Sequence, residues 1–402
     1  MPGFELFGDL ERAQVNDVLD SGVLMRYGFD GMRNGHWKAI ELEKALAARM
    51  QVKHAQLVSS GTSALTVALT SAGIGAGDEV IMPTFTFVAS FESVLAIGAI
   101  PILVDVDDTL CLDPKAVENA ISPKTRVVMP VHMCGSMADL KALKAICDKH
   151  ELLLLEDACQ AIGGTFEGKP LGSYGDLGCF SFDYVKTITC GEGGAVITDR
   201  DTYKTNAEQY SDHGHDHGYD EKGSDRGAEG HPYLGYNYRI SELNAAVGLA
   251  QIARLDEFLA IQRKNYTLLR EALTPIEDIT WRRIPEGGEE SHAFLNFFLP
   301  DVYTAKKAHI ALGEAGVDAC FYWYDNTWHY YRKWEHLIHK TSLGKLPQEV
   351  YDQLPDYSKS DFSASDHWVG RNISCLIKLG WSEEEVGTRA TRMREVLQGI
   401  LG

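Results

Sequence analysis

The chain has 402 residues, 45% hydrophobic and 24% charged, which is the balance of an ordinary folded protein and excludes a disordered or fibrous class. A net charge of −19 excludes a nucleic-acid backbone or an anionic membrane surface as the main partner, though not an anionic small molecule in a locally positive site. Eight cysteines are scattered without a C-x-x-C pair, MPGFELFGDLERAQ carries no basic-then-apolar leader, and the apolar run at 152–155 is too short to cross a bilayer. The expected address is therefore the cytoplasm, with no membrane partner.

Through residues 40–200 short apolar runs alternate with segments of helical spacing. Strands are predicted at 56–59, 79–85, 100–106, 126–133, 152–158, 177–182 and 195–198, with helical patterns at 63–72, 86–97 and 137–149. That order predicts an α/β fold: a mostly parallel seven-stranded sheet between helices. The unbroken apolar character of VVMPV and LLLL fits strands buried on both faces. Residues 201–236 include SDHGHDHGYDEKGSDRGAEGHPYLGY, polar and without a period, and are predicted as a long loop. One helical stretch follows over 240–273. Past Pro275 the pattern shortens, with a strand in HAFLNFFL and a terminal amphipathic helix near 383–397. The expected division is an N-terminal segment with a large domain over 1–274, then a smaller α/β domain over 275–402.

Four motifs carry chemistry. SSGTSAL follows a predicted strand and opens a helix, so Gly61 lets the backbone approach a ligand and the first helical N–H groups can cradle a phosphate. Thr62 and Ser63 add hydroxyls; the ordinary reading is a helix cap. In LLLLEDACQA, Asp157 sits at the C-terminal end of a buried strand, where open α/β sheets bind ligands. A carboxylate there can keep a pyridinium nitrogen protonated, and Gln160 lies three residues on. In CFSFDYVKTITCGEGGAVIT, Lys186 stands between an apolar strand and a glycine cluster, with Ser181 near the end of that strand. A partly desolvated lysine can attack an aldehyde, whereas most lysines are solvated surface charges. In PTFTFVAS, Phe87 can stack on a planar ring or pack in the core. His213, His215 and His217 raise the question of a metal, but the segment reads as a loop with no acidic or thiol framework. No metal is expected there, although one of these histidines can touch substrate.

SSGTSAL, PTFTFVAS, LLLLEDACQA, SFDYVKTITCGEGGAVIT and GYNYRISELNAA, in that order, resemble the DegT/DnrJ/EryC1/StrS sugar aminotransferases. That family lies within the fold-type I, aspartate-aminotransferase-like enzymes. The resemblance runs from about residue 8 to the C-terminal helix and is strongest through 255. It implies pyridoxal 5'-phosphate held by Lys186 as a Schiff base, with Lys186 also moving protons. It further implies that Asp157 pairs with the pyridine nitrogen, Phe87 stacks on the ring and Gln160 faces its oxygen. Gly61, Thr62 and Ser181 would hold the phosphate, and Asn237 would reach the phosphate in the neighbouring subunit of a homodimer. Arg239 would meet an acidic substrate or brace the dimer, and His329 would face the sugar or serve packing.

RYGFDGMRNGHWKA and YWYDNTWHYYRKWEHL are similar to the branch of that family acting on an eight-carbon acidic sugar of lipopolysaccharide, 8-amino-3,8-dideoxy-manno-octulosonate being its product. The reaction so implied moves an amino group from an amino acid, glutamate, to a keto or aldehyde sugar. A nucleotide-linked keto-deoxyhexose is the alternative acceptor. A sugar dehydratase of the same scaffold is disfavoured, because such relatives replace the lysine that stands here at 186. A non-catalytic protein is disfavoured because the constellation is intact.

Overall fold

β-branched and leucine-rich runs of five residues or fewer, each closed by a turn or a proline, build the sheet of the N-terminal part. The strands are β1 (His54–Val58), β2 (Glu79–Pro83), β3 (Ile100–Val104), β4 (Thr125–Val128), β5 (Leu153–Asp157), the short β6 (Thr165–Phe166) and β7 (Lys169–Pro170), then β8 (Leu177–Ser181) and β9 (Gly194–Thr198). In this computed structural model residues 2–217, 222, 230 and 233–402 are described. Seven of the strands form one sheet in the order β1-β9-β8-β5-β4-β2-β3. β9 runs antiparallel to β1 and β8, and every other pair is parallel. The expected strands at 79–85 and 126–133 are cut short, to Pro83 and Val128. Pro83 and Pro130 have no N–H with which to extend a ladder. The residues beyond them turn toward the end of the sheet instead.

The sheet is buried on both faces, and successive residues of a strand go to opposite sides. In β5, Leu154 packs with Ile81, Val104 and Val128, while Leu155 joins Val80, Met82 and Val127. The nine α-helices that the described residues form up to 273 are α1 (Asp9–Ser21), α2 (Lys38–Met50), α3 (Gly61–Ser71), α4 (Ala89–Ala96), α5 (Pro114–Ala120), α6 (Leu140–His150), α7 (Asp201–Ser211), α8 (Glu242–Ala253) and α9 (Leu255–Leu273). α3 and α4 cover one face with Leu65, Leu69, Phe91 and Val94. α5 and α6 cover the other with Val117, Leu143 and Ile146, beside α2 with Leu42 and Leu46.

Two expectations change. The loop predicted over 201–236 begins as a helix, α7, which packs against α3 and buries Ala207 completely. Its sequence, DTYKTNAEQYS, has too few apolar residues to announce that face, so tertiary packing decides. The stretch at 240–273 is two helices, α8 and α9, separated at Arg254.

The C-terminal part adds β10 (Thr280–Trp281), β11 (Gly288–Glu289), β12 (Phe294–Phe298), β13 (Cys320–Phe321) and β14 (Asn372–Leu376). Four of them form an antiparallel sheet, β10-β12-β14-β13, and β11 joins β6 and β7. Its core pairs Phe297 and Ile373 with Leu312 of α10 (Val302–Glu314) and Met393 of α14 (Glu383–Leu401). α9 serves both cores: Leu255 and Phe258 pack on the large sheet, Leu269 and Leu273 on the small one. The segment with α11 (Glu335–Ile338) and α12 (Gln348–Gln353), ahead of α13 (Ser363–Arg371), returns Trp323, Tyr330, Trp334 and Tyr357 to the large core.

One buried group sets the end of β5. Glu156 is wholly buried, and its carboxylate accepts from the amides of Gly172 (2.9 Å), Tyr174 (2.7 Å) and Gly175 (2.7 Å) and meets His132 Nε2 at 2.8 Å. It thereby ties the 172–175 turn behind the strand while its neighbour Asp157 faces forward. Glu156→Ala would strand three backbone amides, an expected loss of about 3–5 kcal/mol read as an earlier urea-unfolding midpoint. A loss below about 1 kcal/mol would show that the turn does not depend on this carboxylate.

Candidate active site

At the C-terminal ends of the parallel strands several short segments converge. β1 leads straight into α3, whose first turn is closed by a capping box. The Ser60 hydroxyl accepts from the Ser63 amide (3.0 Å), and the Ser63 hydroxyl accepts from the Ser60 amide (2.8 Å). Ser63 is buried in that cap, so its side chain holds the helix start instead of facing a ligand. The amides of Gly61 and Thr62 have no partner among the described residues and open the helix as a pair of free donors. A side chain at 61 has no room: an added Cβ would lie 2.7 Å from Ser181 Cβ. Gly194 is equally constrained, since a Cβ there would lie 2.2 Å from the Ser60 carbonyl oxygen.

Asp157 ends β5 with 4% exposure. Its carboxylate accepts from Ser90 Oγ at 2.9 Å and from the Cys159 amide at 3.2 Å, and among the described residues it has no cationic partner. Gln160 Oε1 accepts from the Cys134 amide at 3.1 Å, which orients the side chain. Lys186 lies in the turn after β8, where its amide donates to the Asp183 carbonyl (3.0 Å) and its carbonyl accepts from Gly3 (2.9 Å). The Phe4 and Tyr184 rings stack beside this turn at 4.2 Å. Lys186 makes no ion pair among the described residues.

The opposite wall is aromatic. Backbone bonds from Thr86 to His329 (3.0 Å) and Val88 to Trp328 (2.9 Å) join the 84–88 segment to the C-terminal part. Phe87 is 38% exposed, its ring parallel to Trp328 at 5.8 Å and tilted against His329 at 5.3 Å. His329 Nδ1 contacts Asn326 Oδ1 at 2.9 Å, and its ring lies 4.6 Å from Trp323. Burial, and then the charge of Lys186, lower its pKa to about 3, so the ring is neutral at physiological pH.

These segments enclose a cavity of about 320 Å³. Gly61, Thr62, Ser181 and Gln160 line it together with Asp157, and Phe87, Lys186 and His329 complete the wall. Ser90, Asp183, Glu192 and Cys159 also line it and were missed from the sequence. Ser90 had a usable signal, three residues after Phe87 in PTFTFVAS at a helix start. The Cys159 thiol is pushed well above its usual range by burial and next by the Asp157 carboxylate.

Asn237 and Arg239 lie outside this cavity. Asn237 is exposed and bridges Asp212 across a short antiparallel pairing. The Arg239 guanidinium bonds the buried Asp212 carboxylate of its own chain. Burial would raise the Asp212 pKa, yet the bonds from His217 and Arg239 prevail and hold it at about 2. An acidic group therefore does stand beside His215 and His217, contrary to the reading of that segment from sequence, while His213 lies outside the cluster.

Residues 8–388 match the DegT/DnrJ/EryC1/StrS aminotransferase family. The chain belongs to that family. The 3-amino-5-hydroxybenzoate synthase of Amycolatopsis mediterranei is 36% identical over 329 residues, which is 79% of this chain and 80% of that protein. The GDP-perosamine synthase of Caulobacter vibrioides is 42% identical over 227 residues, 56% of this chain and 59% of that protein. The crystal structure of an aminotransferase from Psychrobacter cryohalolentis superposes with a TM-score of 0.84 at 26% identity, covering 98% of each chain. This aminotransferase is thus a fold-type I enzyme that uses pyridoxal phosphate.

Its residues fit that cofactor. A buried carboxylate without a cation suits a pyridinium nitrogen, because an isolated buried charge is otherwise costly. A glycine-floored helix start with two free amides suits the phosphate, and the exposed Phe87 face suits a flat ring. Gly61→Ala is expected to weaken pyridoxal phosphate binding about tenfold or more, read by fluorescence titration of the cofactor-depleted protein. Unchanged affinity would mean the phosphate sits elsewhere.

Proposed function

We propose that this aminotransferase carries an amino group from glutamate to the carbonyl of a sugar. The observation that carries the reading is that Lys186 lines the same cavity as the buried carboxylate of Asp157, which has no cationic partner among the described residues. When bound, pyridoxal phosphate supplies an electron sink for charge developing at the substrate carbon. Lys186 holds the cofactor and then moves a proton at that carbon through its Nζ. Asp157 keeps a proton on the ring nitrogen, and Ser90 fixes the carboxylate that does so. Phe87 would stack on the ring and Gln160 would face its oxygen, with Gly61, Thr62 and Ser181 to hold the phosphate. His329, neutral and held at Nδ1 by Asn326, would offer Nε2 to the sugar.

The specific acceptor we propose is the eight-carbon acidic sugar aldehyde that gives 8-amino-3,8-dideoxy-manno-octulosonate for lipopolysaccharide, made in the cytoplasm. Its support is the resemblance of RYGFDGMRNGHWKA and YWYDNTWHYYRKWEHL to that branch. Among the described lining residues Lys186 is the single amine or guanidinium, and Arg239, paired with Asp212 in its own chain, would either meet the sugar carboxylate or brace the dimer. A homodimer with shared sites would also bring Asn237 to the neighbouring phosphate. The exposed Tyr184, Val185, Tyr233, Leu234 and Tyr236 support such an interface. No described helix is long and apolar enough to cross a membrane. A second reading, a nucleotide-linked keto-deoxyhexose as acceptor, is favoured by the likeness to GDP-perosamine synthase.

Borohydride treatment of the holoenzyme should fix the cofactor on the peptide containing Lys186, seen by mass spectrometry; labelling of a different lysine refutes the assignment. Asp157→Asn should lower kcat roughly 10²-fold or more while altering cofactor affinity far less. Near-normal turnover by that variant would end the electron-sink role. Assays with glutamate and a panel of oxidised sugars separate the acceptors. Turnover of nucleotide-linked keto-hexoses without the octulosonate aldehyde sinks the specific acceptor and spares the aminotransferase reading.

A further inference from the structure

Outside the cavity, one cluster of potential ligands remains unexplained by transamination. Asp212, His215 and His217 bring one donor atom each to within 4.8 Å of one another. Asp212 is wholly buried and His217 is 6% exposed. Both rings address the same carboxylate oxygen: Oδ2 lies 3.0 Å from His217 Nε2 and 3.5 Å from His215 Nδ1. The second distance is too long for a good hydrogen bond. A tetrahedral ion with bonds of about 2.0–2.1 Å to nitrogen and oxygen separates its ligands by roughly 3.3 Å, midway between the two. The other oxygen, Oδ1, is held by Arg239, the kind of outer contact that orients a ligating carboxylate. His217 stacks on Tyr27 at 4.3 Å, which fixes the ring plane with Nε2 toward Asp212.

We propose that Asp212, His215 and His217 form a binding site for a divalent transition-metal ion of the zinc class. Two imidazoles and one carboxylate are borderline donors that suit such an ion, and water would complete a shell more open than that of a closed four-ligand structural site. The adjacent Arg239 charge weakens the site relative to a thiolate-rich one. Its role is structural. The 212–217 segment pairs with the 236–239 segment through the Asp212–Asn237 bridge and the bond from His213 N to Tyr236 O (3.0 Å). The latter segment in turn closes on β1, through Val58 with Arg239 and the Ser59 amide with the Tyr238 carbonyl (2.8 Å), one residue before the α3 cap. An ion would rivet the strand pair that displays Asn237 to the start of the phosphate-binding helix.

The test uses the full-length, tag-free holoenzyme, stripped with a chelator and titrated with Co²⁺ alone while its visible ligand-field absorption is followed. One ion per chain with tetrahedral bands, displaced by Zn²⁺, is the expected result. His215→Ala and His217→Ala should each weaken binding at least about tenfold. Wild-type protein that shows no such absorption, or binding that both variants retain, overturns the proposal and leaves a hydrogen-bonded ion cluster around Asp212. Because the wild-type titration decides by itself, failure of either variant to fold does not blunt the test.

Discussion

Two neighbouring carboxylates at the end of β5 have to be kept ionised or neutralised inside the protein, and the rest of the site is arranged around how that is done. Glu156 points to the back of the strand, where three backbone amides and His132 surround it. Asp157 points to the front with a hydroxyl and one amide, and without a cation among the described residues. The first is a closed account and the second an open one. An open carboxylate in a dry place is tolerable only where a positive group arrives to meet it, which is why it marks the reacting side of the sheet.

The same logic orders the neighbouring elements. α3 comes so close to the end of β8 that residue 61 can carry no Cβ, and β9 passes so close to α3 that residue 194 cannot either. Those two glycines let the three elements close on one another and leave the Gly61 and Thr62 amides bare, with the Ser60–Ser63 cap holding the helix in register. The aromatic wall is then supplied from far along the chain, by backbone bonds that carry His329 and Trp328 onto the 84–88 segment.

Most of this was legible because the sheet has a simple code. Unbroken apolar runs separated by helical spacing gave all seven strands of the main sheet, and strand-end motifs gave Gly61, Asp157, Ser181 and Lys186, which meet in one cavity. What escaped were features decided by contacts across distance. α7 hides in a polar stretch because its partner α3 is over a hundred residues away in sequence. Ser63 reads as a ligand hydroxyl until its reciprocal bond with Ser60 is seen. Asp212 stands immediately before the three histidines, yet nothing in a string of letters says that His217 folds back on it.

Cys159 lines the same cavity as Lys186, and it is the stronger nucleophile of the two whenever it is a thiolate. Burial and the adjacent Asp157 carboxylate keep it protonated. The carboxylate that we propose for the ring nitrogen thereby also silences a competitor for any aldehyde that enters. Chemoselectivity in this pocket is a by-product of its electrostatics, obtained without excluding sulfur from the lining.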